Sequence, residues 1–338
     1  MNILAASSRQ WHPEDEWILQ GIQNLLQDVL APPVNWVLFD KNPDLLLPDG
    51  SRRRRTVYSN SYHHQSLIPF SMAIIAGSAT WHNRGLETFY HLVARSKIPL
   101  FALGLGLPEE ARALNKDELH CFKRRSTVIT ARDIAAKNYF RQYGLEAAML
   151  PCPSLFAART QTVAANTQPR IGFVIDDHQA RVSPNHQTFL RELCRFIEHS
   201  SDSYDLQVFC PTVDEFMRFS SMFGERTHYS FDAKEYPRFL ATTDLVVTNN
   251  LTCAHLANSV GRIALFVSET PPNELEFAQL PFIRYATLES LNQQFEAIVG
   301  RTHTAAGIES WKQKIREQWR QVLPARNAPI GPAERQIS

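Results

Sequence analysis

The stretch Val128-Ile129-Thr130-Ala131-Arg132-Asp133 puts an arginine and an aspartate directly after an apolar, β-branched run and before a helix-like segment. At such a corner Asp133 can accept the free N–H groups of the helix, while a fixed Arg132 guanidinium suits a ligand carboxylate or phosphate. The pair could equally serve only to lock strand to helix. A second stretch, Val246-Val247-Thr248-Asn249-Asn250-Leu251-Thr252-Cys253-Ala254-His255, leaves a strand, supplies Asn249, Asn250 and Thr252 as caps, and enters a helix. The start of that helix offers backbone N–H groups and a positive dipole end to an anion. Thr252 and His255 lie three apart and share a helix face. There His255 suits proton transfer as acid or base, or a buried histidine satisfied by its neighbours.

Gly77-Ser78 and Gly104-Leu105-Gly106 each follow an apolar run, so Ser78, Gly104 and Gly106 read as turns that a ligand can approach closely. Asp15 stands with Glu14 and Glu16 beside His12, where an acid serves as a base or as a partner of the helix dipole. Asp176-Asp177-His178 follow a further strand and fit a ribose or sugar, or a solvated loop. The Arg52–Arg55 run fits a phosphorylated acceptor or an exposed loop. A dinucleotide fingerprint fails because Glu109 stands where its third glycine belongs. No Walker A sequence occurs, and His63-His64 lacks partners at metal-ligand spacing, so neither a metal nor a cofactor is expected.

Positioning these groups takes strands that end in loops and helices that return. Apolar runs predict strands at Asn2–Ala6, Val34–Phe39, Met72–Ala76, Pro99–Leu103, Ser126–Thr130 and Ala147–Leu150. Between them fall helices near 14–30, 86–95, 109–123 and 134–143. The apolar periodicity stops between Ala157 and Gln168, which reads as a linker. A second series follows, with strands at 170–175, 206–210, 245–248 and 263–267 and helices at 187–199, 213–223, 236–241 and 253–260. A long Trp-bearing amphipathic helix, Ile308–Leu323, is suited to pack back across both halves, and the tail after Pro324 reads as disordered. The alternation predicts an α/β chain of two Rossmann-like, doubly wound domains, 1–160 and 161–305, followed by a helix and tail at 306–338. Loop edges of such domains, facing each other, would enclose a ligand cleft.

Composition narrows the partners. The 338 residues carry 35 Lys and Arg against 34 Asp and Glu, too balanced for a general nucleic-acid binder. Five scattered cysteines without a CxxC pair read as reduced thiols. The longest apolar runs, Phe70–Ala79 and Ile98–Leu107, are about half a bilayer span. The first residues are too short and uncharged for a signal peptide. The expectation is a cytoplasmic protein with a small-molecule or glycan substrate, no nucleic acid and no membrane span; the oligomeric state is not indicated.

Several of these stretches together resemble the polysaccharide pyruvyl transferase family. Glu14-Asp15-Glu16-Trp17-Ile18-Leu19 is similar to the family's acidic helix start, and Ala76-Gly77-Ser78 and Gly104-Leu105-Gly106-Leu107-Pro108 to its glycine turns. Ala131-Arg132-Asp133 resembles a family corner motif, with Cys152-Pro153 where Asp-Pro is usual. The strand Ala241–Thr248 precedes the place of an Arg-x-His motif, whose arginine position holds Asn250 and whose histidine position holds Thr252. A lysine usual near Thr270-Pro271-Pro272-Asn273 is absent.

The resemblance implies a glycosyltransferase-B-like pair of domains. It also implies a role in cell-surface polysaccharide biosynthesis, with a pyruvyl group passing from phosphoenolpyruvate onto a sugar as a ketal. Phosphoenolpyruvate is then a donor substrate rather than a cofactor. Arg132 would hold the donor's anionic part, Asn249 to Thr252 would support it, and His255 or Asp15 would move protons. A missing charge-assisted bond to phosphate is worth ~1.5–3 kcal/mol. A different donor, a non-catalytic relative binding a glycan, nucleotide or partner protein, and a nucleotide-sugar-dependent glycosyltransferase therefore stand as alternatives.

Overall fold

Two seven-residue runs with every side chain buried, Met72–Ser78 and Leu100–Gly106, lie in the middle of a parallel sheet. Strands covered on both faces need no polar alternation, which is why these segments read as continuous apolar runs. The computed structural model describes residues 1–7, 12–27, 29–30, 34–39, 45–46, 52–53, 70–78, 85–107, 112–161, 168–177, 184–269, 280–299 and 305–323. Glu109, Arg54-Arg55, His63-His64, His178, Thr270–Asn273 and the tail after Pro324 lie outside the described residues.

The first sheet comprises β1 (Asn2–Ser7), β2 (Asn35–Leu38), β5 (Met72–Ser78), β6 (Leu100–Gly106), β7 (Ser126–Ala131) and β8 (Ala148–Met149). Its order is β2-β1-β5-β6-β7-β8, and all neighbours are parallel. The short strands β3 (Leu45–Leu46) and β4 (Arg52–Arg53) form a separate antiparallel pair. Helices α1 (Pro13–Gln27), α2 (Gly85–Ser96), α3 (Lys116–Arg125) and α4 (Ile134–Gln142) alternate with the strands. Their aromatic side chains, including Phe89, Tyr90, Phe122 and Phe140, fill a core against β5 and β6.

The second sheet comprises β9 (Arg170–Val174), β10 (Asp205–Cys210), β11 (Thr227–Tyr229), β12 (Leu245–Thr248), β13 (Ile263–Val267) and β14 (Ile283–Ala286). It runs β11-β10-β9-β12-β13-β14, again wholly parallel. Helices α5 (Pro184–Ser200), α6 (Val213–Phe223), α7 (Glu235–Ala241), α8 (Leu251–Ser259), α9 (Leu291–Val299) and α10 (Ala305–Val322) complete it. The strand order reverses between β9 and β12, and ligands of doubly wound sheets bind outside the carboxyl ends at such a point.

Some boundaries and elements differ from the sequence expectation. The strand expected to stop at Leu103 continues to Gly106, because Gly104 takes φ +63° and absorbs an irregularity in register against β7. Helix α3 begins at Lys116 instead of 109, where Asn115 and Glu118 form a reciprocal capping box and Arg112 pairs with the Glu118 carboxylate. The segments β11, β14 and α9 were not anticipated; they are short, and exposed residues interrupt each of the longer two. Among the described residues no helix is long and apolar enough to cross a membrane.

Met1–Trp11, Gln23–Leu150 and Glu317–Ser338 form one compact unit, and His12–Ile22 with Pro151–Arg316 form the other. The first two thirds of α1, Pro13–Ile22, thus belong with the second sheet. The Trp17 indole N–H donates to the Ala233 carbonyl at 2.9 Å, and its ring lies 5.4 Å from that of Tyr236. In the same unit Lys312 of α10, 2% exposed, donates to Thr160 Oγ1 and to the Ser259 carbonyl. Residues at the start of the expected linker are thereby tied to this unit; 162–167 lie outside the described residues.

Gly21 tests the seating of α1. A Cβ there would lie 1.8 Å from the Pro153 carbonyl oxygen, which is backbone and cannot swing away. Helix propensity alone would make Gly21→Ala stabilising by about 1 kcal/mol. Overpacking should reverse the sign, at a cost of about 1–3 kcal/mol. We expect a lowered thermal midpoint; an unchanged or raised one would show that α1 does not seat on Pro153.

Candidate functional site

The carboxyl ends of β5, β6 and β7 gather four of the sequence-selected residues in the first unit. Ser78 pairs in register with Gly106, just after a register shift at Gly77, whose φ is +99°. Gly104 donates its N–H to Thr130 Oγ1 at 2.7 Å. Arg132 donates its backbone N–H to the Leu105 carbonyl at 3.0 Å, and its guanidinium lies against Gly106. A Cβ on Gly106 would come within 2.4 Å of Arg132 Nε, so the glycine makes room for the cation. Asp133 is the N-cap of α4: one carboxylate oxygen accepts from Ala136 N–H at 2.6 Å and the other from Leu107 N–H at 3.1 Å. The corner therefore locks two strand exits together while the half-buried Arg132 side chain lies beside the tip of β6.

In the second unit the strand-order reversal is built from Asp176, Asn249 and Asn250. Asn249 clasps the backbone of Asp176 twice, accepting its N–H and donating to its carbonyl, both at 2.8 Å. The side chain thus adds one more rung beyond the last β9–β12 pair, Val174 with Thr248. Asn250 is the N-cap of α8, its Oδ1 accepting from Cys253 N–H at 3.0 Å. Its Nδ2 donates to the Glu14 carboxylate and, at 3.1 Å, to Asp176 Oδ2. This helix start is consequently capped from within and flanked by two carboxylates, an unfavourable place for an anion. Thr252 is buried, and its carbonyl accepts from the Ser154 hydroxyl at 3.1 Å.

His255 and Asp15 also lie in this unit, 3% and 0% exposed. Thr252 through Ser259 of α8 are all buried, so His255 sits among packed neighbours one turn beyond the cap.

Asp177 departs from the solvated loop that the sequence left open. It is 4% exposed and pairs with Arg218 at 3.1 Å. Its N–H donates to Glu215, whose other oxygen accepts from Thr212 N–H in a capping box at the start of α6. Burial, reinforced by the negative charge of Asp176, lifts the Glu215 carboxyl from its ordinary 4.5 to about 8. Glu14, Glu215 and Arg218 escaped the sequence reading as site-edge residues. The only signal for Glu215 was Thr212-x-x-Glu215, the spacing of an ordinary cap. Among the described residues no group of three or more His, Cys, Asp or Glu could hold a metal.

A model of the polysaccharide pyruvyl transferase family matches residues 15–251, from the acidic turn of α1 to the start of α8. The chain belongs to the polysaccharide pyruvyl transferase family. No curated protein matches it significantly in sequence. Solved structures similar to this family member include UDP-GlcNAc 2-epimerase from Methanocaldococcus jannaschii, at 11% identity and TM-score 0.53 over 90% of this chain and 94% of that one. The same enzyme in complex with UDP-GlcNAc and UDP gives 0.51 at 11% identity over 95% and 100%. A Staphylococcus aureus MnaA–UDP structure gives 0.52 at 11% identity over 98% and 92%. These likenesses establish the fold: two Rossmann-like domains of the glycosyltransferase-B-like type.

Two measurements test the second-unit geometry. Asn250→Ala should cost about 1 kcal/mol as a lost cap. Asn250→Asp keeps the cap but sets a third carboxylate against Glu14 and Asp176, and should cost more than the alanine in urea unfolding. A cheaper aspartate would refute the bridge. For Glu215 the unfolded chain loses its proton first, so between pH 4.5 and about 8 the folded state alone retains it. This group's contribution therefore falls as pH rises across that window and is level above it. Glu215→Gln should flatten that decline in thermal midpoint.

Proposed function

We propose that this family member is a transferase acting on a sugar or glycoconjugate precursor, with Arg132 holding the anionic part of a donor that is by default phosphoenolpyruvate. The supporting observation is the Arg132 guanidinium beside Gly106 at the exits of three parallel strands, in a chain matched by the family model through that corner. In such a transfer the enol carbon C3 gains a proton, two sugar oxygens bond to C2, and the bridging C–O bond breaks to release phosphate. The two hydroxyl protons must be accepted in turn. Asp15 and His255 are our candidates for moving protons, and Asn249, Asn250 and Thr252 for shaping the sugar side. Ser78, Gly104 and Gly106 would border the donor. With such a donor and precursor the activity would belong in the cytoplasm, as the sequence reading expects.

A second reading, a non-catalytic relative that binds a glycan, nucleotide or partner protein, is favoured by one feature. Asn250 and Thr252 occupy the family's arginine and histidine positions, and Asn250 is bonded to two carboxylates. The third, a nucleotide-sugar-dependent glycosyltransferase, draws support from the fold it shares with proteins solved with UDP or UDP-GlcNAc.

Thermal shift with phosphoenolpyruvate and with UDP-, GDP- and CDP-sugars separates the three. The transferase reading expects stabilisation by phosphoenolpyruvate that disappears in Arg132→Ala and weakens in Gly106→Ala, where the new methyl displaces the guanidinium. Stabilisation by a nucleotide sugar alone would move the assignment to the glycosyltransferase. Silence across the panel would favour the non-catalytic relative.

A further inference from the structure

Among the described residues Phe231 is the one aromatic side chain that stands mostly in solvent, 87% exposed. Its support is nevertheless rigid. The Ser230 N–H donates to the Tyr236 hydroxyl at 3.3 Å, and that hydroxyl donates to the Cys210 carbonyl. Asp232 N–H donates to Ser230 Oγ, Lys234 N–H donates to Asp232 Oδ1, and the Ala233 carbonyl accepts the Trp17 indole N–H. Phe231 itself meets Tyr229 nearly edge to face, with ring centroids 5.0 Å apart. An apolar ring held on a fixed loop keeps its hydration cost in the free protein, and a ligand covering it loses little entropy to loop ordering.

Carboxylates border the loop that carries the ring. Asp232 is the next residue, and the Trp17 indole bonded to Ala233 brings the adjoining Glu16 of α1 to the same loop, where Asp232 and Lys234 act on its charge. Burial and the neighbouring Asp15 push the Glu16 carboxyl upward, and Lys234 opposes them. An aromatic face with a carboxylate border matches a pyranose, which offers a C–H-lined face and a rim of hydroxyl donors. It repels a phosphate. The loop follows β11, two strands from β9 on the carboxyl edge of the same sheet, or about 10 Å from the strand-order reversal.

We infer that Phe231, Asp232 and Glu16 form a sugar-ring subsite, in which a neutral hexopyranose stacks on Phe231 and its hydroxyls bond the two carboxylates. This deepens the transferase reading and rests on it for the identity of the sugar as acceptor, while the subsite is tested without a donor.

The test is saturation-transfer-difference NMR on the full chain with methyl β-D-glucopyranoside, methyl β-D-galactopyranoside and lactose. At least one probe should receive saturation at its ring C–H protons. Phe231→Ala should weaken that binding by about tenfold or more, and Phe231→Trp should retain it. No transfer to any probe, or transfer undiminished in Phe231→Ala, overturns the subsite. So does sedimentation showing a wild-type dimer that Phe231→Ala makes monomeric, since the ring then faces a second copy. The sugar probes are read without a donor, so a missing phosphoenolpyruvate response defeats the donor assignment and not this one.

Discussion

One carboxamide organises the ligand edge of the second unit. Asn250 caps α8 with its oxygen and gives both of its nitrogen's bonds to carboxylates, Glu14 and Asp176, drawn from segments far apart in the chain. Bonds to ionised acceptors are stronger than neutral ones, and here a single neutral donor keeps two like charges in place. An arginine at this position would add a cation that offsets one of the two negative charges. Asparagine adds none. The helix start, ordinarily an attractive place for phosphate, is thereby turned into a hydrogen-bond-accepting surface.

The first unit carries the opposite character. Its cation is held by a backbone arrangement in which a glycine yields space to a guanidinium and Asp133 binds two backbone amides. The same division of labour explains why Arg132 and Asp133, adjacent in sequence, serve different ends. The aspartate fixes the corner, and the arginine lies beside the neighbouring strand's tip.

Much of the fold was legible because buried parallel strands announce themselves as unbroken apolar runs, as Met72–Ser78 and Leu245–Thr248 do. Gly104-Leu105-Gly106 misled at its boundary: glycines suggested a turn, whereas the strand carries them as an irregularity. The short strand Thr227–Tyr229 was missed because three residues with one buried member carry no period. Arg132, Ser78 and Gly106 were visible as strand-end residues, and their convergence follows from strand order alone. The partnership of Glu14 with Asn250 was not visible, since 236 positions separate them and neither type is unusual where it stands. Glu215 was hidden for a different reason, because its capping role supplies a sufficient local explanation for its presence.

The chain passes between the units at Trp11 to His12, within α1 at Ile22 to Gln23, at Leu150 to Pro151 and within α10 at Arg316 to Glu317. Neither half is therefore a continuous stretch of sequence. A fragment beginning at Pro151 would leave Tyr236 without the indole that covers it and Asn250 without one of its acids. Recombination among relatives at the Leu150–Pro151 junction alone would mismatch this inserted piece with its seat. Evolution of ligand preference in the second sheet is thus tied to a short amino-terminal segment that the order of the chain assigns elsewhere.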